Sequence, residues 1–127
     1  MCWDKCQPWE NFSQWEMAWT SFDCPAYIIR HSNTGGANAE KKIHPTQKPV
    51  AVYSRLLAKF AKPGDKILDT HVGSASSLVA CHNYGFEYDG FEIDKQYYTD
   101  AQGRLEKAKA QLSLLSEIEQ IVTDEII

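Results

Sequence analysis

The residues with the clearest chemical potential form a turn of small residues, followed about 20 positions later by a carboxylate. Gly73, Ser74 and Ala75 lie in the turn between a predicted strand and a predicted helix, and Glu92 closes the next strand. Small side chains let a ligand approach the backbone, the start of a helix offers unpaired amide donors, and one carboxylate accepts both ribose hydroxyls. The pattern predicts a nucleoside site, with an ordinary tight turn as the alternative. The Gly-Lys-Ser/Thr of a phosphate loop and the three glycines of a dinucleotide fingerprint are absent.

Two helices and two strands must position this turn. Apolar residues spaced by three and four predict a helix over residues 49–60, and a short apolar run predicts a strand over 66–69. A second helix follows, capped by Ser76 or Ser77, and a second strand covers 88–93. A strand, a turn, a helix and a strand within about 30 residues indicate a βαβ unit with parallel strands.

The flanking segments have a different character. Two short runs, 2–4 and 15–22, predict a hairpin, and three- and four-residue apolar spacing predicts a long helix over 97–119 with a solvated acidic tail. We expect the second half of that helix to pack on a sheet or on a partner chain. The predicted α/β domain therefore has four parts: a hairpin at 1–29, a basic and glycine-containing loop at 30–48, an αβαβ ligand-binding unit at 49–94, and a long helix with an acidic tail at 95–127.

Composition limits the class of protein. The chain has 127 residues, a net charge of −4 and 43% hydrophobic residues, which fits one globular domain and argues against binding nucleic acid by bulk charge. Without a long apolar run or a secretory signal, we expect a cytoplasmic protein that does not enter membranes. Four irregularly spaced cysteines predict reduced thiols, and a metal site built from them and His31 is not expected: Cys2, Cys6, Cys24 and Cys81.

Three segments carry a resemblance to a known family. A His-Pro-Thr-Gln-Lys-Pro string precedes the first helix, an Ala-Lys-Pro-Gly-Asp-Lys-Ile-Leu-Asp run leads into the turn, and Gly-Phe-Glu-Ile-Asp surrounds Glu92. Over residues 2–105 the chain resembles amino-methylating DNA methyltransferases. It is most similar to phage and prophage adenine-specific enzymes of the β order, in which the cofactor motifs follow the catalytic motif.

The resemblance implies S-adenosylmethionine (SAM) as cofactor and S-adenosylhomocysteine as product. In that case Asp69 would face the ammonium group of the methionine part, and the turn amides together with Lys48 would face its carboxylate. Glu92 would accept the ribose hydroxyls, and Phe91 or Ile93 would lie against the adenine. The complete set of implied cofactor contacts is Thr46, Lys48, Asp69, Thr70, Gly73, Ser74, Ala75, Ser76, Glu92 and Ile93.

The chain also departs from the family pattern. Thr70 and His71 replace a Pro-Phe pair, and Ala75 replaces a glycine, which costs on the order of 1 kcal/mol if that position has a positive φ. The catalytic Asp-Pro-Pro-Tyr motif is absent, and the sequence Asp-Cys-Pro-Ala-Tyr at 23–27 is a poor substitute. We therefore predict no catalytic residue in this chain and expect the motif upstream of Trp3.

The resemblance implies the SAM-binding part of a site-specific DNA adenine methyltransferase, active only if a partner supplies that motif. The alternative is an inactive prophage remnant or an oligomeric module that keeps the fold. The strand at residues 67–68 is expected to have an unpaired edge, which predicts a second copy, a separate N-terminal half, or a rearranged hairpin beside it. A basic stretch is a weak candidate for contacting DNA: Arg30, Lys41, Lys42 and Lys48.

Overall fold

The computed structural model describes residues 1–7, 10–33 and 41–126, with side chains as far as Ser116. Strands and helices follow in the predicted order, with one additional strand. The elements are β1 (Cys2–Asp4), β2 (Trp15–Met17), β3 (Ile28–Arg30), α1 (Val50–Phe60), β4 (Lys66–Asp69), α2 (Ser76–Asn83), β5 (Glu87–Gly90) and α3 (Lys95–Ile126).

The first sheet contains β1 between β2 and β3. β1 and β2 are antiparallel, with Trp3 opposite Glu16, so the predicted hairpin is confirmed, although β2 ends at Met17 rather than at residue 22. β3 is parallel to β1 and was not predicted, because three residues are too few to show an alternating pattern. Trp3 and Ile29 are buried on this sheet and pack against Val52 of α1.

The second sheet is the predicted βαβ unit. β4 and β5 are parallel, with Lys66 opposite Glu87, and α2 connects them. The predicted strand at 88–93 ends earlier, at Gly90, because the backbone beyond it turns towards the preceding loop. Phe91 donates its amide to Asp69 at 2.9 Å, and Val72 donates its amide to Phe91 at 3.0 Å. Among the described residues β4 pairs only with β5, so its other edge is unpaired, as predicted, and the hairpin does not pair with it.

Helix α1 packs against both sheets and joins them into one molecule. It begins at Val50, directly after Pro49, as the sequence predicted. Val52 contacts the first sheet, whereas Leu57 packs with the buried Ala80 and Cys81 of α2, close to β4. The two sheets therefore share one covering helix without hydrogen-bonding to each other.

Helix α3 covers the βαβ unit through its first half. Ala101 and Leu105 are buried against Ala75 and Leu78. The helix begins at Lys95, where the Asp94 carboxylate accepts the amides of the first turn. The prediction of an acidic tail after residue 119 is wrong, because the helix continues to Ile126.

The start of α2 differs from the prediction of a serine cap. The capping position is Ala75, with a left-handed φ of +61°, and no side chain caps the helix. The Ser76 hydroxyl donates instead to the Lys48 carbonyl at 2.7 Å, and the Ser77 hydroxyl donates to Asp69. Ala75 therefore occupies the positive-φ position at which a glycine is normally preferred.

The four cysteines are free thiols, and only Cys81 is buried. No group of three potential metal-binding side chains converges within the described part of the chain. The described helices also include none with the length and apolar character required to cross a bilayer.

Candidate functional site

The carboxyl ends of β4 and β5 meet at a loop that two carboxylates organise. Asp69 ends β4 and accepts the amide of His71 at 2.9 Å through Oδ1, while its Oδ2 accepts the Ser77 hydroxyl. The side chain thereby ties the turn to the first residues of α2. Thr70 and His71 project outward and contact each other at 2.9 Å between Oγ1 and Nδ1.

Glu92 closes the opposite side of the turn. Its Oε2 accepts the amide of Gly73 at 2.8 Å and its Oε1 accepts the amide of Asp94 at 2.9 Å. These two bonds, that of Asp94 first and that of Gly73 second, lower the pKa of Glu92 from its ordinary value of 4.5. An ionised carboxylate has about four acceptor positions on its two oxygens. Two acceptor positions therefore remain on Glu92 for a ligand.

The space beside Glu92 is open surface rather than an enclosed pocket. The hollow behind the carboxylate has a volume of about 30 Å³, far below the roughly 300 Å³ of a typical ligand pocket. It is lined by Val72, Ala75, Leu78, Gly90, Glu92, Tyr98, Ala101, Gln102 and Leu105. A nucleoside therefore has room only on the outer side of the turn. There Ile93 is fully exposed and Phe91 is 63% exposed, and both offer an apolar surface to a planar ring.

The serines of the turn face the protein interior. The hydroxyls of Ser74 and Ser76 are 3.1 Å apart, and both residues are buried. Arg104 of α3 donates to the Ser74 carbonyl at 2.6 Å and to the Ser76 hydroxyl at 2.8 Å. These side chains therefore fix the loop, and a ligand on the outer surface meets its backbone.

The loop before α1 reaches the same turn. The His44 ring lies 3.6 Å from the place where a Cβ on Gly73 would stand, and it packs against Tyr97 with ring centroids 4.3 Å apart. The Thr46 hydroxyl is 3.1 Å from His44 Nδ1. A side chain at Gly73 would therefore crowd this histidine.

Lys48 extends from this loop towards the hairpin. Its Nζ lies 3.2 Å from Glu16 Oε2 on β2, and its carbonyl accepts the Ser76 hydroxyl. The lysine thus joins the turn, the loop and the first sheet. In the free protein its ammonium group has a protein carboxylate as partner.

The predicted site residues therefore form a nearly continuous group. Asp69, Thr70, Gly73, Ala75 and Glu92 belong to one turn, and Lys48 contacts that turn through its backbone. Sequence reasoning missed several residues that hold this group together: Glu16, His44, Ser77, Tyr97 and Arg104. Only His44 had a signal, because it belongs to the His-Pro-Thr-Gln-Lys-Pro string.

Comparisons with known proteins agree with this arrangement. The sequence model of the family described as DNA methylase, N6_N4_Mtase, matches residues 3–103. The chain is 34% identical over 82 residues to the type II methyltransferase M.HpaI of Haemophilus parainfluenzae, covering 65% of this chain and 26% of that protein. It is 40% identical over 63 residues to the type II methyltransferase M2.DpnII of Streptococcus pneumoniae, covering 50% of this chain and 24% of that protein. The chain spans about a quarter of these relatives.

Solved structures show the same architecture. The M1.HpyAVI–SAM complex matches with a TM-score of 0.62 and 26% identity over 83% of this chain and 60% of that chain. A DNA modification methylase of Thermus thermophilus, TTHA0409, complexed with S-adenosyl-L-methionine, matches with a TM-score of 0.53 and 17% identity over 85% of this chain and 52% of that chain. The predicted partial Rossmann-like methyltransferase fold is confirmed.

Proposed function

The chain belongs to the DNA methylase family, and we propose that it forms the SAM-binding part of a DNA amino-methyltransferase. The observation that carries the proposal is the position of Glu92. Its carboxylate is fixed by the amides of Gly73 and Asp94 at the carboxyl ends of two parallel strands. Ligands of open α/β sheets bind at this edge, and a fixed carboxylate with free acceptor positions suits a ribose diol.

The cofactor would lie along the outer surface of the turn. Glu92 would accept the ribose hydroxyls, and Ile93 or Phe91 would cover one face of the adenine. Lys48 would attract the carboxylate of the methionine part, and the turn would receive the rest. The contacts that we propose beyond these are Thr46, Asp69, Thr70, Gly73, Ser74, Ala75 and Ser76, of which Ser74 and Ser76 would act through their backbone.

Methyl transfer to a base amine needs a further element. The cofactor supplies an electrophilic methyl group, and the target amine must have its delocalised lone pair localised by polar acceptors. These 127 residues contain no Pro-Pro pair. We propose that the catalytic motif comes from a segment outside this sequence and that the DNA base reaches the site only when that segment is present.

The unpaired edge of β4 is the proposed place for that segment. Leu68 is 60% exposed on this strand, and an apolar groove of about 430 Å³ runs between Ile67 and the exposed Trp19 and Phe22. An exposed strand edge pairs readily with another strand. We expect the partner to add a strand here, and sedimentation that shows a monomer at high concentration would exclude self-pairing as the alternative.

Calorimetric titration with S-adenosylhomocysteine tests the proposal. Wild type should bind, and Glu92→Gln should bind about tenfold or more weakly, because one acceptor oxygen becomes an amide donor. Glu87→Gln, an exposed glutamate on β5, is the control and should bind as wild type does. No heat of binding for the wild type at millimolar ligand would reject the proposal and favour a module that keeps the fold without the cofactor.

A further inference from the structure

The partner of Lys48 lies on an element that carries none of the predicted cofactor contacts. Glu16 is the single residue of β2 that is not exposed, and its Oε2 lies 3.2 Å from Lys48 Nζ. Its Oε1 lies 2.9 Å from the ammonium group of Lys5, whose side chain is 11% exposed. One glutamate on the hairpin thus holds two lysines from two different segments.

The charges of this group leave a net cation. Glu16 carries one negative charge and the lysines carry two positive charges, so the group has one positive charge in excess. Burial by itself would raise the pKa of Glu16, but the hydrogen bonds and charges of Lys5 and Lys48 lower it from its ordinary value of 4.5. The glutamate therefore stays ionised, and Lys48 keeps attraction to spare for a second carboxylate.

Tyr53 links this group to the turn. Burial, the Asp69 carboxylate and then the Glu16 carboxylate raise the pKa of Tyr53 to about 12. Both carboxylates therefore act on one phenol that stays protonated. A ligand at this end of the turn meets two anions, Asp69 and Glu16, and one cation, Lys48, a charge distribution that suits a zwitterionic amino-acid group.

We propose that Glu16 is a positioning residue that holds the Lys48 ammonium group where it meets the amino-acid end of the cofactor. The inference rests on the proposed function and deepens it, because it connects the hairpin to cofactor recognition. A lysine without a fixed partner has many rotamers, and immobilising them at binding costs affinity. Glu16 reduces that cost by ordering the side chain in advance.

Two nucleosides separate this role from a purely structural one. S-adenosylhomocysteine carries the amino-acid group, whereas 5′-methylthioadenosine lacks it and keeps the adenine, ribose and sulfur. In calorimetric titrations, Glu16→Gln should weaken binding of S-adenosylhomocysteine by about twofold to tenfold and leave binding of 5′-methylthioadenosine unchanged. Glu106→Gln removes a glutamate of similar ion pairing, with Lys109 on α3, and should change neither affinity.

A double-mutant cycle tests whether the effect passes through the lysine. In a Lys48→Met background, Glu16→Gln should produce no further loss of S-adenosylhomocysteine affinity. If Glu16→Gln does not fold, Glu16→Asp keeps the charge, shortens the reach to Lys48 and should show a smaller loss of the same selectivity.

The outcomes are distinct. If wild type binds neither nucleoside, the proposed function fails. If wild type binds both and Glu16→Gln weakens both equally, the glutamate is only structural and the inference is overturned. Unchanged or tighter binding of S-adenosylhomocysteine overturns it too, the latter because Glu16 then competes with the ligand for Lys48.

Discussion

Replacing Gly90 by alanine should loosen the contact between β5 and the turn. A Cβ at this position would lie 2.5 Å from Cγ2 of Val72 and 3.0 Å from Cδ1 of Leu78. Valine is branched at Cβ and has little rotamer freedom, so the turn itself must move. Adding a methyl group to a packed site costs about 1 to 3 kcal/mol, and we expect the free energy of unfolding to fall by that amount.

The same substitution at Gly103 is the control. Gly103 lies within α3 with no atom near its added Cβ, so alanine there should stabilise the protein by about 0.5 to 1 kcal/mol through helix propensity. Urea unfolding of both variants measures the two changes with opposite signs. A Gly90→Ala protein as stable as wild type would refute the close packing of Val72 on β5.

Three further predictions concern other parts of the fold. Ala75→Gly should leave the unfolding free energy within about 1 kcal/mol of wild type in urea, because relief of positive-φ strain offsets a lost buried methyl group and a more flexible unfolded chain. Trp3→Phe should cost about 1 to 3 kcal/mol in the same assay, since it removes the indole bond to the His31 carbonyl at 2.9 Å. Glu16→Gln should destabilise the protein near pH 7 and lose this effect as the pH falls through and below 4.5, because a lowered folded pKa stabilises only the ionised form; unfolding curves at several pH values measure it.

Much of the fold could be predicted because its signals are local. The spacing of apolar residues located α1, and the apolar run before the turn located β4 at its observed bounds. The elements that sequence missed or misplaced depend on distant partners. β3 exists because β1 lies beside it, and β5 stops at Gly90 because Phe91 bonds to Asp69 across the sheet.

The site divides in the same way. Glu92 and Gly73 lie on successive parts of one βαβ unit, so their meeting follows from the order of the elements. The contact of Glu16 with Lys48 crosses from the hairpin to the loop before α1, and no spacing in the sequence indicates it. The inward direction of the Ser76 hydroxyl was also beyond prediction, since it depends on Arg104 of α3.

The most direct measurement of the central claim is an amide NMR titration of the chain with S-adenosylhomocysteine. The account predicts saturable shifts concentrated at the amides of Gly73 and Asp94, which donate to Glu92, and at Ile93 on the adjoining surface. Shifts confined to the groove between the sheets, or none at saturating ligand, would contradict it.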